Sequence, residues 1–173
     1  MEPFQMKLVH SQHLHSWVFI TILLLDPFQV KSVHLQNFGS WFFSSNSLVG
    51  SIPNEIGALT TLEVLSLSSN ELIGFIPSEI GALMTLKVLD LYNNSLAGAI
   101  PSEIGALTTL TYLYLSSNSL DGFIPSEIGA LTKLEVLYLS DNSLDGAIPE
   151  SLCKQGLLIY ADVDENVTCS CCN

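Results

Sequence analysis

A stretch of 24 residues, LTTLEVLSLSSNELIGFIPSEIGA from Leu59 to Ala82, returns with the same spacing of apolar and turn residues at Leu83, Leu107 and Leu131. Self-similarity at a fixed period of roughly 20–50 residues marks a chain built of stacked units, and this constrains the fold more than any other feature of the sequence. Within the unit, Leu65 and Leu67 alternate with Val64, Ser66 and Ser68, a period of two that predicts a short strand with one buried face. Leu62, Leu72, Ile76 and Ile80 must then turn inward from the rest of the coil. Burying such side chains is worth about 1.5–3 kcal/mol each, but only if another coil lies above and below. One unit alone would not fold.

The invariant letters follow LxxLxxLxLxxNxLxGxIPxxIG. Asn70 stands where the strand must turn, with Asn46, Asn94, Asn118 and Asn142 at the same place in the other units. A side-chain amide there can satisfy main-chain groups of its own and the neighbouring turn, so the column reads as a structural ladder. Pro77 followed by SEIG predicts one turn of helix, with proline at its first position and Gly81 just past its end. Gly74, Gly98, Gly122 and Gly146 are periodic, as turn glycines would be.

Together these residues resemble the plant-type leucine-rich repeat, marked by its LxGxIP segment. The resemblance runs from Leu35 to Lys154, the first unit placing Phe38, Trp41 and Phe43 where the others have leucine. It implies an α/β solenoid, a right-handed superhelix of about five 24-residue repeats (35–58, 59–82, 83–106, 107–130 and 131–154) with a parallel β-sheet on the concave face. The family includes receptor ectodomains and secreted proteins of the polygalacturonase-inhibitor type. The function it implies is non-enzymatic recognition of a protein or carbohydrate in defence, signalling or adhesion, although one scaffold of this kind carries many specificities.

Residues 1–34 stand outside the repeat. The apolar run Trp17 to Leu25 behind Lys7 has the size of a signal-peptide core, with Val30-Lys31-Ser32 before a cleavage point; the alternative is a disordered extension. Secretion or display at the cell surface is therefore expected, with a cytoplasmic protein as the alternative. The amino-terminal end lacks the cysteine pair typical of the secreted family members.

Residues 155–173 form a cysteine-bearing cap, and Cys153, Cys169, Cys171 and Cys172 are disulfide candidates whose pairing the sequence leaves open. A link from Cys153 to the tail would staple the run LLIYADV over the open end of the core. Adjacent cysteines with no nearby histidine fit a tetrahedral metal poorly, so no metal and no cofactor is expected. Asn93-Asn94-Ser95 and Asn166-Val167-Thr168 make Asn93 and Asn166 glycosylation candidates.

With 17 acidic residues against five lysines and no arginine, net charge −12, the chain is a poor match for nucleic acid, which needs clustered basic residues. Glu55, Glu79, Glu103 and Glu127 form one acidic column. No stretch reaches the roughly 18 apolar residues of a membrane span. Catalysis has little to rest on: every histidine lies at or before His34, and the serines recur in periodic columns. No catalytic residue is assigned.

Function is expected where the repeat varies. On the strands, outward positions form columns: Ser40, Val64, Val88, Tyr112, Val136; then Phe42, Ser66, Asp90, Tyr114, Tyr138; then Ser44, Ser68, Tyr92, Ser116, Ser140. Phe42, Asp90, Tyr92, Tyr112, Tyr114 and Tyr138 are the ligand-binding candidates, tyrosine offering large contact area and a hydroxyl at low entropic cost. Two alternatives accompany this reading. Thr60, Thr61, Thr85, Thr108, Thr109 and Thr132 could present an ice- or surface-binding array, and the chain could be a fragment of a larger receptor.

Overall fold

A computed structural model describes residues 39–153, 157–161 and 167–168. The amino-terminal segment 1–34 read as a signal peptide or extension, Phe38, Cys169, Cys171, Cys172 and Asn166 fall outside these residues.

Each coil opens with a strand of three residues: β1 Ser40–Phe42, β3 Val64–Ser66, β5 Val88–Asp90, β7 Tyr112–Tyr114, β9 Val136–Tyr138 and β11 Leu158–Tyr160. These pair in parallel, in the order β1-β3-β5-β7-β9-β11, as the concave sheet of a leucine-rich-repeat solenoid. Val64 faces Ser40, Val88 faces Val64, Tyr112 faces Val88 and Val136 faces Tyr112, so register advances by one whole unit at every step. A slip of one residue would exchange the buried leucines for the outward column. Leu65, Leu89, Leu113 and Leu137 are all fully buried at the centre of their strands.

A second parallel sheet, beyond the one strand per unit expected from the sequence, lies on the other side of the turn. It comprises β2 Val49–Gly50, β4 Glu71–Gly74, β6 Ser95–Gly98, β8 Ser119–Phe123, β10 Ser143–Ala147 and β12 Val167–Thr168. Its signal was present as a second period of two, with Leu72, Leu96, Leu120 and Leu144 buried between outward neighbours.

Each coil has two left-handed corners, one between the sheets and one where the second sheet gives way to the helical turn. Ser69, Asn93, Ser117 and Asp141, each just before a ladder asparagine, have φ between 54° and 56°, and Gly74 and Gly98 have φ of 80° and 73°. Small polar residues tolerate the first corner and glycine suits the second. The asparagine then fixes the turn to its neighbour. Asn118 Nδ2 donates to Leu115 O (3.1 Å) in its own coil and to Leu91 O (3.0 Å) in the preceding one, while its Oδ1 accepts from the Leu96 N–H (3.0 Å). Asn70, Asn94 and Asn142 repeat the pattern.

The helical turn differs from the sequence expectation. Ser78–Ala82, Ser102–Ala106 and Ser126–Ala130 are 3-10 helices, and Pro77, Pro101 and Pro125 sit before them in extended conformation as N-caps rather than as first helical residues. Gly81 lies inside the helix and not past its end. Its role is close approach: a Cβ there would lie 2.6 Å from Glu103 O and 2.8 Å from Glu103 Cβ, so the bare Cα lets neighbouring coils touch. The fifth unit has Cys153 at this place, in the α-helical turn Glu150–Cys153.

The apolar interior is one continuous column of leucine and isoleucine from Leu48 to Ile159, with Trp41 and Phe43 filling the leucine places of the first coil. Among the described residues no buried side-chain polar atom lacks a partner. No helix among them is long and apolar enough to cross a membrane.

Candidate functional site

The strands of the concave sheet bury their central residue, leucine in four of them, Trp41 in β1 and Ile159 in β11, and turn their first and last residues outward, so one column runs Phe42, Ser66, Asp90, Tyr114, Tyr138 in direct register. A sixth member follows. Tyr160 pairs with Tyr138 through β11, a residue that sequence reading assigned to the cap. The signal was available, since LIY of β11 copies VLY of β9 after 22 residues instead of 24.

The column divides into two chemically different halves. Over the later coils, Tyr112 and Tyr114 lie parallel with ring centroids 6.3 Å apart. Tyr114 meets Tyr138 edge to face at 5.1 Å, and Tyr138 meets Tyr160 in the same way at 4.6 Å. Edge-to-face pairs at these separations contribute roughly 0.5–1.5 kcal/mol each beyond area burial. The four rings are thus braced against one another while Tyr160 remains about half exposed.

The hydroxyl of Tyr112 donates to Glu135 Oε2 at 3.1 Å. That bond, and then the nearby negative charge, holds its phenol above the ordinary value of 10.0. Tyr114 is also raised, first by burial and then by Tyr138, Tyr112 and Asp90.

Over the earlier coils the floor is polar. Ser66 and Ser68 donate to the same oxygen of Asp90, Oδ2, at 2.7 Å each, and Oδ1 accepts from the Tyr92 N–H at 3.2 Å. Ser44 lies 2.6 Å from Ser66 and 3.1 Å from Ser68, extending the network to the first coil. Here the expectation of exposed serine columns is corrected. Ser66, Ser68 and Ser116 are buried, because a small side chain between larger neighbours on a concave sheet is covered by them. Phe42, in contrast, is 71% exposed, and Tyr92 stands exposed just beyond its strand.

Elsewhere, Thr85 and Thr109 donate their hydroxyls to carbonyls of the preceding coil, at 2.8 Å to Leu62 O and 2.9 Å to Leu86 O. These threonines therefore bind coil to coil. Asn93 is exposed, and Cys153 is disulfide-bonded. Among the described residues no cluster of three His, Cys, Asp or Glu is placed to hold a metal ion.

Residues 9–158 match the family model described as a leucine-rich repeat region. Among solved structures, the chain is similar to the ectodomain of the plant membrane receptor kinase GASSHO1/SCHENGEN3 from Arabidopsis thaliana, solved in complex with CASPARIAN STRIP INTEGRITY FACTOR 2. The identity is 42%, over 72% of this chain and 15% of that one, with TM-score 0.69. The ectodomain of the receptor kinase SOBIR1 from Arabidopsis thaliana is 34% identical over 74% of this chain and 71% of that one, TM-score 0.69. The plant peptide hormone receptor RGFR1, in complex with RGF2, is 28% identical over 78% of this chain and 25% of that one, TM-score 0.58. The chain therefore spans 15% and 25% of the GASSHO1/SCHENGEN3 and RGFR1 chains, and 71% of the SOBIR1 chain. No curated protein sequence matches it.

Proposed function

Because the chain belongs to the plant-type leucine-rich repeat family, we propose that it is a non-catalytic recognition module which binds an extended peptide or protein segment across its concave face. The observation that carries this reading is the braced row Tyr112, Tyr114, Tyr138 and Tyr160, a preorganised aromatic surface on a rigid sheet. Solved relatives bound to CASPARIAN STRIP INTEGRITY FACTOR 2 and, in a peptide hormone receptor, to RGF2 support a partner of this kind. A peptide fits better than a sugar, since edge-to-face packing covers faces of these rings that a sugar ring would need.

Export is part of the same proposal, supported by the apolar amino-terminal run, the exposed sequon at Asn93 and the bonded state of Cys153. A bond from Cys153 to a tail cysteine would hold β11, and with it Tyr160, onto the binding face.

Capture of partners from the extracellular fluid of the source cells, followed by calorimetry on the purified pair, tests both statements. Tyr114→Ala should weaken the affinity at least about tenfold, as loss of an interface anchor does. Undiminished affinity for Tyr114→Ala and Tyr138→Ala would refute the concave-face reading. Sequencing the mature amino terminus reports whether the leader has been removed.

A further inference from the structure

We propose that Asp90 is a cation subsite on this face, and that the bound peptide carries an arginine or lysine side chain which lands on it between Phe42 and Tyr114. The inference rests on the concave-face reading above. It starts from the direction of the hydrogen bonds. Ser66 gives its one proton to Asp90 Oδ2 and Ser44 can donate to Ser66, while the single proton of Ser68 is directed at both Asp90 Oδ2 and Ser44. A chain of hydroxyls thus ends on one carboxylate. It orients the carboxylate and strengthens along its length, but it contributes no positive charge.

No described cation contributes one either. The ion pair among the described residues is Lys87 Nζ with Glu63 Oε2 at 2.7 Å, and Asp90 takes no part in it. A carboxylate so held is unlike a surface aspartate, whose side chain follows solvent. It lies half-buried in the sheet in a fixed rotamer, and its partners leave a surface rich in acceptors.

The surroundings fit a cation with an apolar stem. By register, Phe42 lies two strands from Asp90 and Tyr114 lies one strand away on the other side, so the trough between the rings is about 14 Å wide at roughly 4.8 Å per strand. Ser66 and Asp90 form its floor. Methylenes would lie against the apolar rims of the trough, and a guanidinium or ammonium would gain a charge-assisted pair with the carboxylate. An acidic peptide would meet the unpaired charge and be rejected.

The test is selection of a randomised peptide library on the purified chain, followed by binding of one enriched peptide and its Arg or Lys→Gln version to the wild type and to Asp90→Asn. The enriched peptides should share a basic residue at one position. Its replacement should weaken binding at least tenfold on the wild type and less than twofold on Asp90→Asn. Affinity for the basic peptide should fall as salt rises from about 0.05 to about 0.3 M, across which electrostatic screening length shrinks by more than half.

Asp90→Ser, which copies the Ser66 position, repeats the comparison should the amide disturb the serine network. Enriched peptides that lose affinity on Tyr114→Ala yet show no basic preference, or bind Asp90→Asn undiminished, overturn this inference and leave the concave-face reading standing. Enriched peptides indifferent to both Tyr114→Ala and Tyr138→Ala, or a selection that enriches none, overturn the reading and the inference with it.

Discussion

Replacing Asn118 by alanine isolates the contribution of the polar ladder from that of the leucines beside it. The amide accepts from the Leu96 N–H and donates to Leu91 O and Leu115 O. Its neighbours blunt part of the loss, because Leu91 O also accepts from Asn94 and Leu115 O also accepts from Asn142. The Leu96 N–H has no such substitute, and Leu96 is fully buried. Orphaning one buried N–H costs about 1–3 kcal/mol, and each of the two weakened carbonyls about 0.5–1 kcal/mol more, so the variant should lose roughly 2–5 kcal/mol.

Asn46 is the internal control. Among the described residues its Nδ2 donates only within its own coil, to Phe43 O at 3.0 Å and Ser44 O at 3.1 Å. Asn46→Ala should therefore cost about 1 kcal/mol. Urea denaturation followed by far-ultraviolet circular dichroism measures both, with the slope checked because stacked repeats can lose two-state behaviour. Equal costs at the two positions would refute the claim that the ladder works by joining coil to coil. Asn118→Asp is a second check: it keeps the acceptor for Leu96 but sets a carboxylate against two carbonyls, so it should be no more stable than the alanine variant at neutral pH.

Gly81→Ala should cost about 1–3 kcal/mol in the same assay, since its methyl would meet the backbone of Glu103. Lys87→Ala should change stability by less than about 1 kcal/mol, because its ion pair with Glu63 is exposed on both sides. In an ultraviolet titration of the phenols, Tyr112 and Tyr114 should ionise above the ordinary phenol value. Both are raised above 10.0, so the folded state holds those protons more tightly, and the stability they contribute is present below pH 10 and lost as pH rises through the folded values. Tyr112→Phe should remove amplitude from the part of the curve above pH 10, and a loss confined to the ordinary phenol range would contradict the assigned bond to Glu135.

The stack was legible in the sequence because each leucine has one way to leave water, and a period of 24 repeats that demand at Leu62, Leu86, Leu110 and Leu134. The outward columns followed from strand alternation. The second sheet and three further points did not follow. The proline was read as the start of a helix, but a five-residue 3-10 turn needs its cap in extended conformation. Glycine at Gly81 looked like a terminator because close packing between coils is a tertiary demand that local pattern does not carry. Tyr160 was missed because the fifth coil is two residues short, so the sixth strand falls out of the period. For the site, the residue types were visible but the direction of the serine protons toward Asp90 was not, since it depends on which hydroxyls the sheet covers.

Among the described residues, hydrogen bonds from the ladder asparagines reach back 27 residues at most, and register ties each strand only to the next. Such a molecule grows like a zipper: a newly made coil can dock as soon as its predecessor is in place, without waiting for the far end. The same locality means that opening starts at the ends and works inward. Tyr160 sits on the last strand of the concave sheet, so amide exchange should be fastest at that rim of the aromatic row and slowest near Leu89 and Leu113, whose strands are flanked on both sides.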